Sequence, residues 1–492
     1  MKKLTTTFII LLLLIASNSI FSQIPIKFRK AIGSSGYDEG YSAKQTFDKG
    51  YIIGGSTSSF GNGATDMYLL KTNEYGIPKR QAMFGGINVD VAKCVRQTAD
   101  SGYVLLGYTN SYGAGGYDVY LVKTDSLMDT LWTRTYGGVD WDFGNCIEPT
   151  TDGGYIVCGY TYSYGNGDAD YYLLKLNAAG DTVWTKTYGG TNEDQATSVV
   201  QTSDGGYILT GTSKSMGDVL GDMYTIKTDA LGNMVWTNLF GGATHLDYSN
   251  DILISRNGGY LLAGESQSFG SGDSDGIIVK IDINGVTVGL MYRTYLPAYD
   301  GFQSITEDTL GRVAATGREV THGDPNGNGD GCIYILNSNW TYFNGTSFGG
   351  GNYDEGFSIE TATDNGFIIC GITQSFSNYL DDVYLIKTDS MGYCTSTDVS
   401  VATNIQNTHV TNNTSMSIFP NPANDYVNVM MNKSEKGLVL KITDLLGNEI
   451  KTEKVIRQNS NTINVSDLTN GIYFITLSGN EYSHTEKLVI QH

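Results

Sequence analysis

Short apolar runs, separated by turns rich in Gly, Asp and Asn, repeat along most of this chain. The stretch Asp152–Gly190, DGGYIVCGYTYSYGNGDADYYLLKLNAAGDTVWTKTYGG, recurs seven times in recognisable form. The residue that opens the run after each turn is Tyr51, Tyr103, Tyr155, Tyr207, Tyr260, Val313 or Phe367, a spacing of 52 to 54 residues. Four residues on there is always a glycine: Gly55, Gly107, Gly159, Gly211, Gly264, Gly317 and Gly371. A period near 50 built from short strands is the signature of a propeller or an array.

Each copy holds four strand-like runs. In one they are Gln195–Thr202, then YILTGTS, DMYTIKTD and NMVWTNLFGG, rich in Tyr, Val, Ile, Leu and Thr. DGG and NAAGD are hairpin turns, where Gly and Asn tolerate positive φ. Four antiparallel strands repeated seven times predict an all-β, seven-bladed β-propeller. Lys27–Gly33, KFRKAIG, matches a fourth strand, whereas the last copy stops near Cys394 after its third. The N-terminal run is therefore expected to close the last blade and cover its open edge. An open solenoid is the competing architecture. The motif YGG…D…DGGY…G…D.Y..K.D..G…W resembles the seven-bladed propeller repeats of secreted bacterial proteins over residues 25 to 394. That resemblance implies a fold and leaves the activity open.

The flanks differ from the repeat. Residues 1–22 read as a signal peptide: Lys2 and Lys3, then FIILLLLIA, too short to span a bilayer, with cleavage expected after Ser22. The first cysteine is Cys94, so no lipoprotein anchor is expected, and no later stretch is apolar enough to cross a membrane. The expected domains are 1–22 signal peptide, 23–394 propeller, 395–417 a Thr-, Asn- and Ser-rich linker, and 418–492 a small β-sandwich. Within the last of these stand Phe419, Pro420, Asn421 and Pro422; Asp444, Leu445, Leu446 and Gly447; Leu468, Gly471, Ile472 and Tyr473; and Lys487. These motifs resemble the type A C-terminal sorting domain of type IX secretion substrates. The resemblance implies passage through the outer membrane by that machinery, removal of the domain, and release or surface attachment. An ordinary adhesive sandwich is the alternative.

Charge narrows the partners. Lys and Arg number 31 against 51 Asp and Glu, a net charge of −20, with no basic stripe, so nucleic acid is not an expected partner. The six cysteines include no C-x-x-C pair. Cys94 and Cys146 are equivalent in adjacent inner strands, as are Cys158 and Cys370 in second strands. Equivalent positions on different blades exceed the ~7 Å that a disulfide spans, so free core thiols are expected.

Chemistry is sparse. His245 and His322 are the only propeller histidines, and no G-x-S-x-G elbow occurs. Two aspartate series repeat with the blades: Asp66, Asp118, Asp170, Asp222, Asp275, Asp330 and Asp382; and Asp38, Asp90, Asp142, Asp194, Asp247, Asp300 and Asp354. Both fall on one face of a propeller, called here the upper face. They either accept local backbone N–H groups or bind calcium. The best calcium loop holds Asp324, Asn326, Asn328 and Asp330, although its twelfth position is Ile335 rather than Glu. A third series, Phe60, Tyr112, Tyr164, Met216, Phe269, His322 and Phe376, fits either inter-blade wedges or ligand stacking. Blades five and six break the repeat most. Arg318, His322 and Trp340 there combine charge and aromatic area, as binding hot spots do.

The expected function is an exported, surface or secreted, non-catalytic module binding an extracellular glycan or protein. A polysaccharide-degrading enzyme with its site on the upper face and a structural surface protein are the alternatives.

Overall fold

A computed structural model describes residues 25–243, 245–270, 274–293, 300–320, 328–377, 380–394, 399–402, 416–419, 423–431, 439–444, 449–454, 460–478 and 483–490. The described chain is all strand and turn. Seven sheets follow one another; six are meanders in sequence order from an inner to an outer strand, and the last takes its fourth strand from the N-terminal run. The first blade runs Asp38–Gln45, Tyr51–Thr57, Asp66–Thr72 and Pro78–Phe84, and the others repeat it. Two compact units result, the propeller to residue 403 (without residues 80–82) and a unit that includes 404–492.

Burial follows the repeat. Third strands such as Asp118–Thr124 are buried throughout, while the outer strand Thr130–Tyr136 is largely exposed. The middle strands thus fill the space between neighbouring blades, which explains their near-continuous apolar runs. Tyr51, Tyr68, Tyr171 and Phe367 are almost fully enclosed, each burial worth about 1.5–3 kcal/mol in transfer free energy.

The ring closes as the termini predicted. Phe28–Ile32 pairs antiparallel with Asp382–Lys387, Phe28 opposite Lys387 and Ile32 opposite Val383. A further strand corrects the reading of residues 395–417 as linker throughout. Val399–Ala402 pairs parallel with the other edge of Phe28–Ile32, Arg29 opposite Val399, and makes the last sheet five-stranded. Its VSVA sequence is short, and nothing in the repeat marks it as a strand. The edge left open by the closing strand gives it backbone partners.

Inner strands carry one shared irregularity. The register slips between Gly40 and Ser42, Ala92 and Cys94, Gly144 and Cys146, Ala196 and Ser198, Ser249 and Asp251, Phe302 and Ser304, and Gly356 and Ser358. A β-bulge re-aims the unpaired side chain, here Tyr41, Lys93, Asn145, Thr197, Asn250, Gln303 and Phe357, and all seven line the axial cavity.

The C-terminal unit has a sheet of Met416–Phe419, Tyr426–Met431 and Ser460–Asn464, and a second of Glu449–Lys454, Val439–Thr443, Gly471–Ser478 and Ser483–Ile490. Val427, Val429 and Ile463 of one share a core with Leu440, Ile442, Ile475 and Leu488 of the other, which is the sandwich that the period-two pattern predicted.

Candidate binding site at the channel mouth

The axial cavity, about 280 Å³, is lined by inner strands of all seven blades. Its bulged residues tie neighbouring blades together. Asn145 Nδ2 donates to the Ala196 carbonyl at 2.8 Å, Thr197 Oγ1 to the Ser249 carbonyl at 2.8 Å, and Asn250 Nδ2 to the Phe302 carbonyl at 3.0 Å. Tyr41 stacks on Phe357 at 5.2 Å, and the Lys93 ammonium lies 3.7 Å from the Tyr41 ring centre. Burial pushes the Lys93 amine down to about 8 against the opposing pull of Glu39. Toward the lower end charges pair, Lys44 with Glu360 and Arg96 with Glu148 at 3.4 and 2.6 Å.

The upper mouth is lopsided. In second strands such as Tyr103–Thr109 and Tyr155–Thr161, one position alone is partly exposed, the residue after the invariant glycine. Around the ring it is Ser56, Tyr108, Tyr160, Thr212, Glu265, Arg318 and Ile372, with Ser56 and Ile372 buried and the other five partly exposed. On blades two and three this position joins a continuous aromatic cluster. Phe143 stacks on Tyr160 at 4.8 Å and meets Tyr108 edge-on at 5.0 Å. Tyr117 contacts Tyr108 at 5.4 Å and Trp141 at 5.8 Å, and Tyr162 touches Trp141 and Tyr160. Trp141 is 53% exposed. On blades five to seven the same rim is polar. Gln303 Nε2 donates to Glu265 Oε1 at 3.2 Å and to Glu355 Oε1 at 3.0 Å. Burial raises both carboxyls, each opposed by the Arg318 charge, and Glu355 further raises Glu265. Arg318 packs over Tyr353, whose hydroxyl donates to Glu355.

The aspartate series build turns. Asp142 accepts the Gly138 N–H at 2.8 Å and the Ser163 hydroxyl at 2.7 Å, and is also bonded by Thr161. Asp38, Asp90, Asp194, Asp247 and Asp354 likewise accept from the preceding turn or from second-strand hydroxyls. Asp66 accepts from Asn62 and Gly63, and Asp170 from Asn166. Among the described residues, no group of three or more His, Cys, Asp or Glu is placed to hold a metal. Of the expected calcium ligands, Asp324 and Asn326 lie outside the described residues. Asn328 bonds the Gly351 carbonyl at 3.4 Å, and Asp330 opens its strand.

The remaining candidates scatter. Tyr112 and Tyr164 are half exposed, and their hydroxyls donate to the Gly85 and Gly137 carbonyls of the preceding blade at 2.7 Å. Phe60 and Phe376 pack on Tyr68 and Tyr384, and Phe269 stacks on Phe240. His322 lies outside the described residues. The structure does not bring Arg318 and Trp340 together, a correction to their grouping in one upper-face hot spot. Trp340 sits in the turn between Asp330–Leu336 and Tyr342–Phe348, at the opposite end of the blade, with φ +68° and Lys280 over its ring at 5.8 Å. Displaced from the outer strand where other blades keep their Trp, it packs toward blade five.

Sequence reasoning missed the Tyr108–Phe143–Tyr160–Trp141 cluster and the Glu265–Gln303–Glu355 bridge. The signal was available: the position after the invariant glycine holds Ser, Tyr, Tyr, Thr, Glu, Arg and Ile in turn, while the glycine itself never changes.

In the sorting domain, Phe419 ends its strand opposite Asn428, Gly471 opens its strand, and Lys487 is the register partner of Phe474. Tyr473 is buried, with its hydroxyl donating to the Thr469 carbonyl at 3.0 Å. Pro420, Asn421, Pro422 and Gly447 lie outside the described residues.

Comparison with known proteins separates the two units. Among curated proteins, the regulatory protein FlaEY of Caulobacter vibrioides is 28% identical over 181 residues, 31% of this chain and 18% of that protein. The match thus spans under a fifth of that relative. Solved structures that resemble the chain include the Neurospora crassa Pan2 WD40 domain (10% identity, TM-score 0.43, 74% of this chain and 99% of that one). A Dyadobacter fermentans protein of unknown function gives 10% identity and a TM-score of 0.43 over 74% of this chain and 98% of its own. These likenesses carry no argument about ligand or activity. Residues 417–491 match the family described as the secretion system C-terminal sorting domain. The chain therefore couples a seven-bladed β-propeller to a type IX secretion sorting domain, which directs it to the cell surface or the extracellular space.

Proposed function

We propose that the propeller is a non-catalytic binding module for an extracellular glycan, docked over the upper channel mouth. One observation carries this reading: six rings, Tyr108, Tyr117, Trp141, Phe143, Tyr160 and Tyr162, form one partly exposed surface beside the axis. Sugar rings stack on such faces, and a few polar groups orient their hydroxyls. Glu265, Gln303 and Arg318 supply such groups across the mouth. Arg318 keeps its place in this reading, and Trp340 leaves it. The competing explanation is that the rings only pack blades two and three together. A glycan array and a host-protein array probed with residues 24–403 test the reading, since glycan retention without turnover supports it and protein-only retention redirects it.

A second reading rests on the Glu265–Gln303–Glu355 bridge. Two carboxyls of raised pKa at one mouth are the raw material of acid–base glycoside cleavage. Turnover of a polysaccharide that is lost in Glu265→Gln and Glu355→Gln would favour an enzyme. Calcium at the 324–330 loop is a further proposal, tested by calorimetry on the same protein.

A further inference from the structure

Three of the six cysteines lie side by side. Cys146 on Asp142–Pro149 is the register partner of Cys158 on Tyr155–Thr161. Directly opposed residues of an antiparallel pair have Cα atoms about 4.5–5.5 Å apart, inside the roughly 4.4–6.8 Å window of a disulfide. Cys94, the equivalent residue of blade two, adjoins them. Its Sγ accepts the Ile147 N–H at 3.4 Å and lies 3.7 Å from the Ile147 carbonyl. All six cysteines are free thiols in this structure, and Cys146 Sγ donates to the Val199 carbonyl at 3.8 Å.

The same rung in the other blades is Ser42 with Gly54, Cys94 with Leu106, Ser198 with Thr210, Asp251 with Ala263, Ser304 with Thr316, and Ser358 with Cys370. Only blade three has a thiol on both strands. The serines explain what the inner position ordinarily does: Ser42, Ser304 and Ser358 accept the N–H of Val95, Ile359 and Ala43 on the next blade. A thiol accepts more weakly than a hydroxyl, so cysteine at Cys146 brings no advantage in that role. The chain is exported, and exported proteins meet oxidants that form disulfides.

We propose that Cys146 and Cys158 form a disulfide during export, with Cys94 retained as a free thiol against it. The oxidant is a thiol-oxidising protein carrying a reactive disulfide. The Cys146 thiolate attacks that disulfide and forms a mixed disulfide, and the oxidant's second sulfur leaves as a thiolate. The Cys158 thiolate then attacks Cys146 Sγ and releases the oxidant as a dithiol. The two cysteines lose two protons and two electrons, and the oxidant gains both electrons. The exchange precedes closure of the blade. Once folded, the adjoining Cys158 thiol, with burial added, pushes the Cys146 thiol up to about 12, which leaves almost no thiolate to react.

The position of the bond gives it a consequence. Two register steps from Cys146–Cys158, past Gly144 and Gly159, stands Phe143–Tyr160, the stacked pair at the centre of the aromatic cluster. A covalent rung there fixes the hairpin that presents those rings, and a fixed platform loses less entropy on binding. This consequence rests on the glycan reading, whereas the disulfide itself does not.

The test uses the full protein collected after export, with free thiols alkylated under denaturation and the chain cut before aspartate without reduction. Cys94, Cys146 and Cys158 then fall in three peptides, Asp90–Ala99, Asp142–Thr151 and Asp152–Gly167. The expected result is Asp142–Thr151 linked to Asp152–Gly167, with Asp90–Ala99 alkylated. An alkylated Asp142–Thr151 peptide, or one linked to Asp90–Ala99, overturns the proposal. Cys94→Ser should keep the link. Reductant should lower the Tm of the wild type and leave that of Cys158→Ser unchanged, and an equal response in both also overturns it. Absence of glycan binding with the link intact would sink the glycan reading alone.

Discussion

Asp382 faces Asp38 across the junction where the ring closes: a Cβ on Gly33 would lie 2.0 Å from Asp382 Oδ1 and 2.8 Å from Asp38 Oδ2. The two aspartate series of the sequence thus converge on one glycine. The same occurs at Gly85, Gly137, Gly189, Gly241 and Gly349. Burial, followed by Asp38 and Asp381, raises the Asp382 carboxyl to about 7.

A pH dependence follows from this pair. An unfolded Asp titrates near ~3.9, so between about 4 and 7 the folded protein holds a proton that the unfolded chain has lost. Stability from this group therefore falls as pH rises across that window. Asp382→Asn should flatten the fall, read as Tm against pH. Parallel curves for the two proteins would remove Asp382 from the account.

Acid should reveal the opposite group. Lys123, Lys175 and Lys227 bond Asp100, Asp152 and Asp204 at 2.8 to 2.9 Å. The Lys175 bond chiefly holds Asp152 at about 2, and Thr202 and Lys227 do so for Asp204. Burial is the largest single influence on Asp100 and pushes it up, but Lys123 and Thr98 outweigh it and leave it near 2. Their contribution is present above pH ~4 and lost toward pH ~2. Asp152→Asn should soften acid unfolding in that range, and an unchanged acid midpoint would count against it.

The junction glycines should resist substitution for a reason other than φ. Gly137→Ala puts a methyl 2.3 Å from Asp118 Oδ1 and 2.5 Å from Asp142 Oδ2, an overpacking cost of about 1–3 kcal/mol. Gly153 has φ +83° and nothing within 4 Å, so Gly153→Ala should cost only about 1 kcal/mol of backbone strain. Denaturant midpoints rank the two, and the reverse order would refute the crowding argument.

Closure predicts a truncation effect. Ending the propeller at residue 394 removes Val399–Ala402 and uncovers one edge of Phe28–Ile32. Residues 24–394 should melt below residues 24–403 and self-associate more readily. Deleting 24–34 should be worse still, because it also exposes Asp382–Lys387. Equal melting curves for the two C-terminal cuts would leave Val399–Ala402 without a structural role.

The aromatic site predicts a split between affinity and stability. Trp141→Ala should weaken glycan binding by about 1–3 kcal/mol as a hot spot with little change in Tm, because Trp141 is half exposed. Tyr112→Ala should instead cost about 1 kcal/mol of stability through the lost bond to Gly85. Intact affinity in Trp141→Ala, with affinity lost in a normally melting Tyr112→Ala, would move the site to the Tyr112 series.

The sequence by itself determined the blade count, the strand order and the N-terminal closing strand, because each is a local pattern repeated in register. Gly55, Tyr51 and Asp66 recur since every blade solves the same packing problem. It also determined the route of export, which is written in the motifs around Phe419 and Tyr473. Tertiary structure alone decided the site. Tyr108 of one blade meets Phe143 of the next because neighbouring blades converge at the axis, and Glu265 meets Glu355 because Gln303 is turned to the channel by a bulge. Arg318 and Trp340 look adjacent in an irregular blade, yet one strand length carries them to opposite ends. Val399–Ala402 became a strand only because the closing strand left an edge to pair with. These outcomes depend on distances across the ring, to which a repeat of local apolar runs is blind.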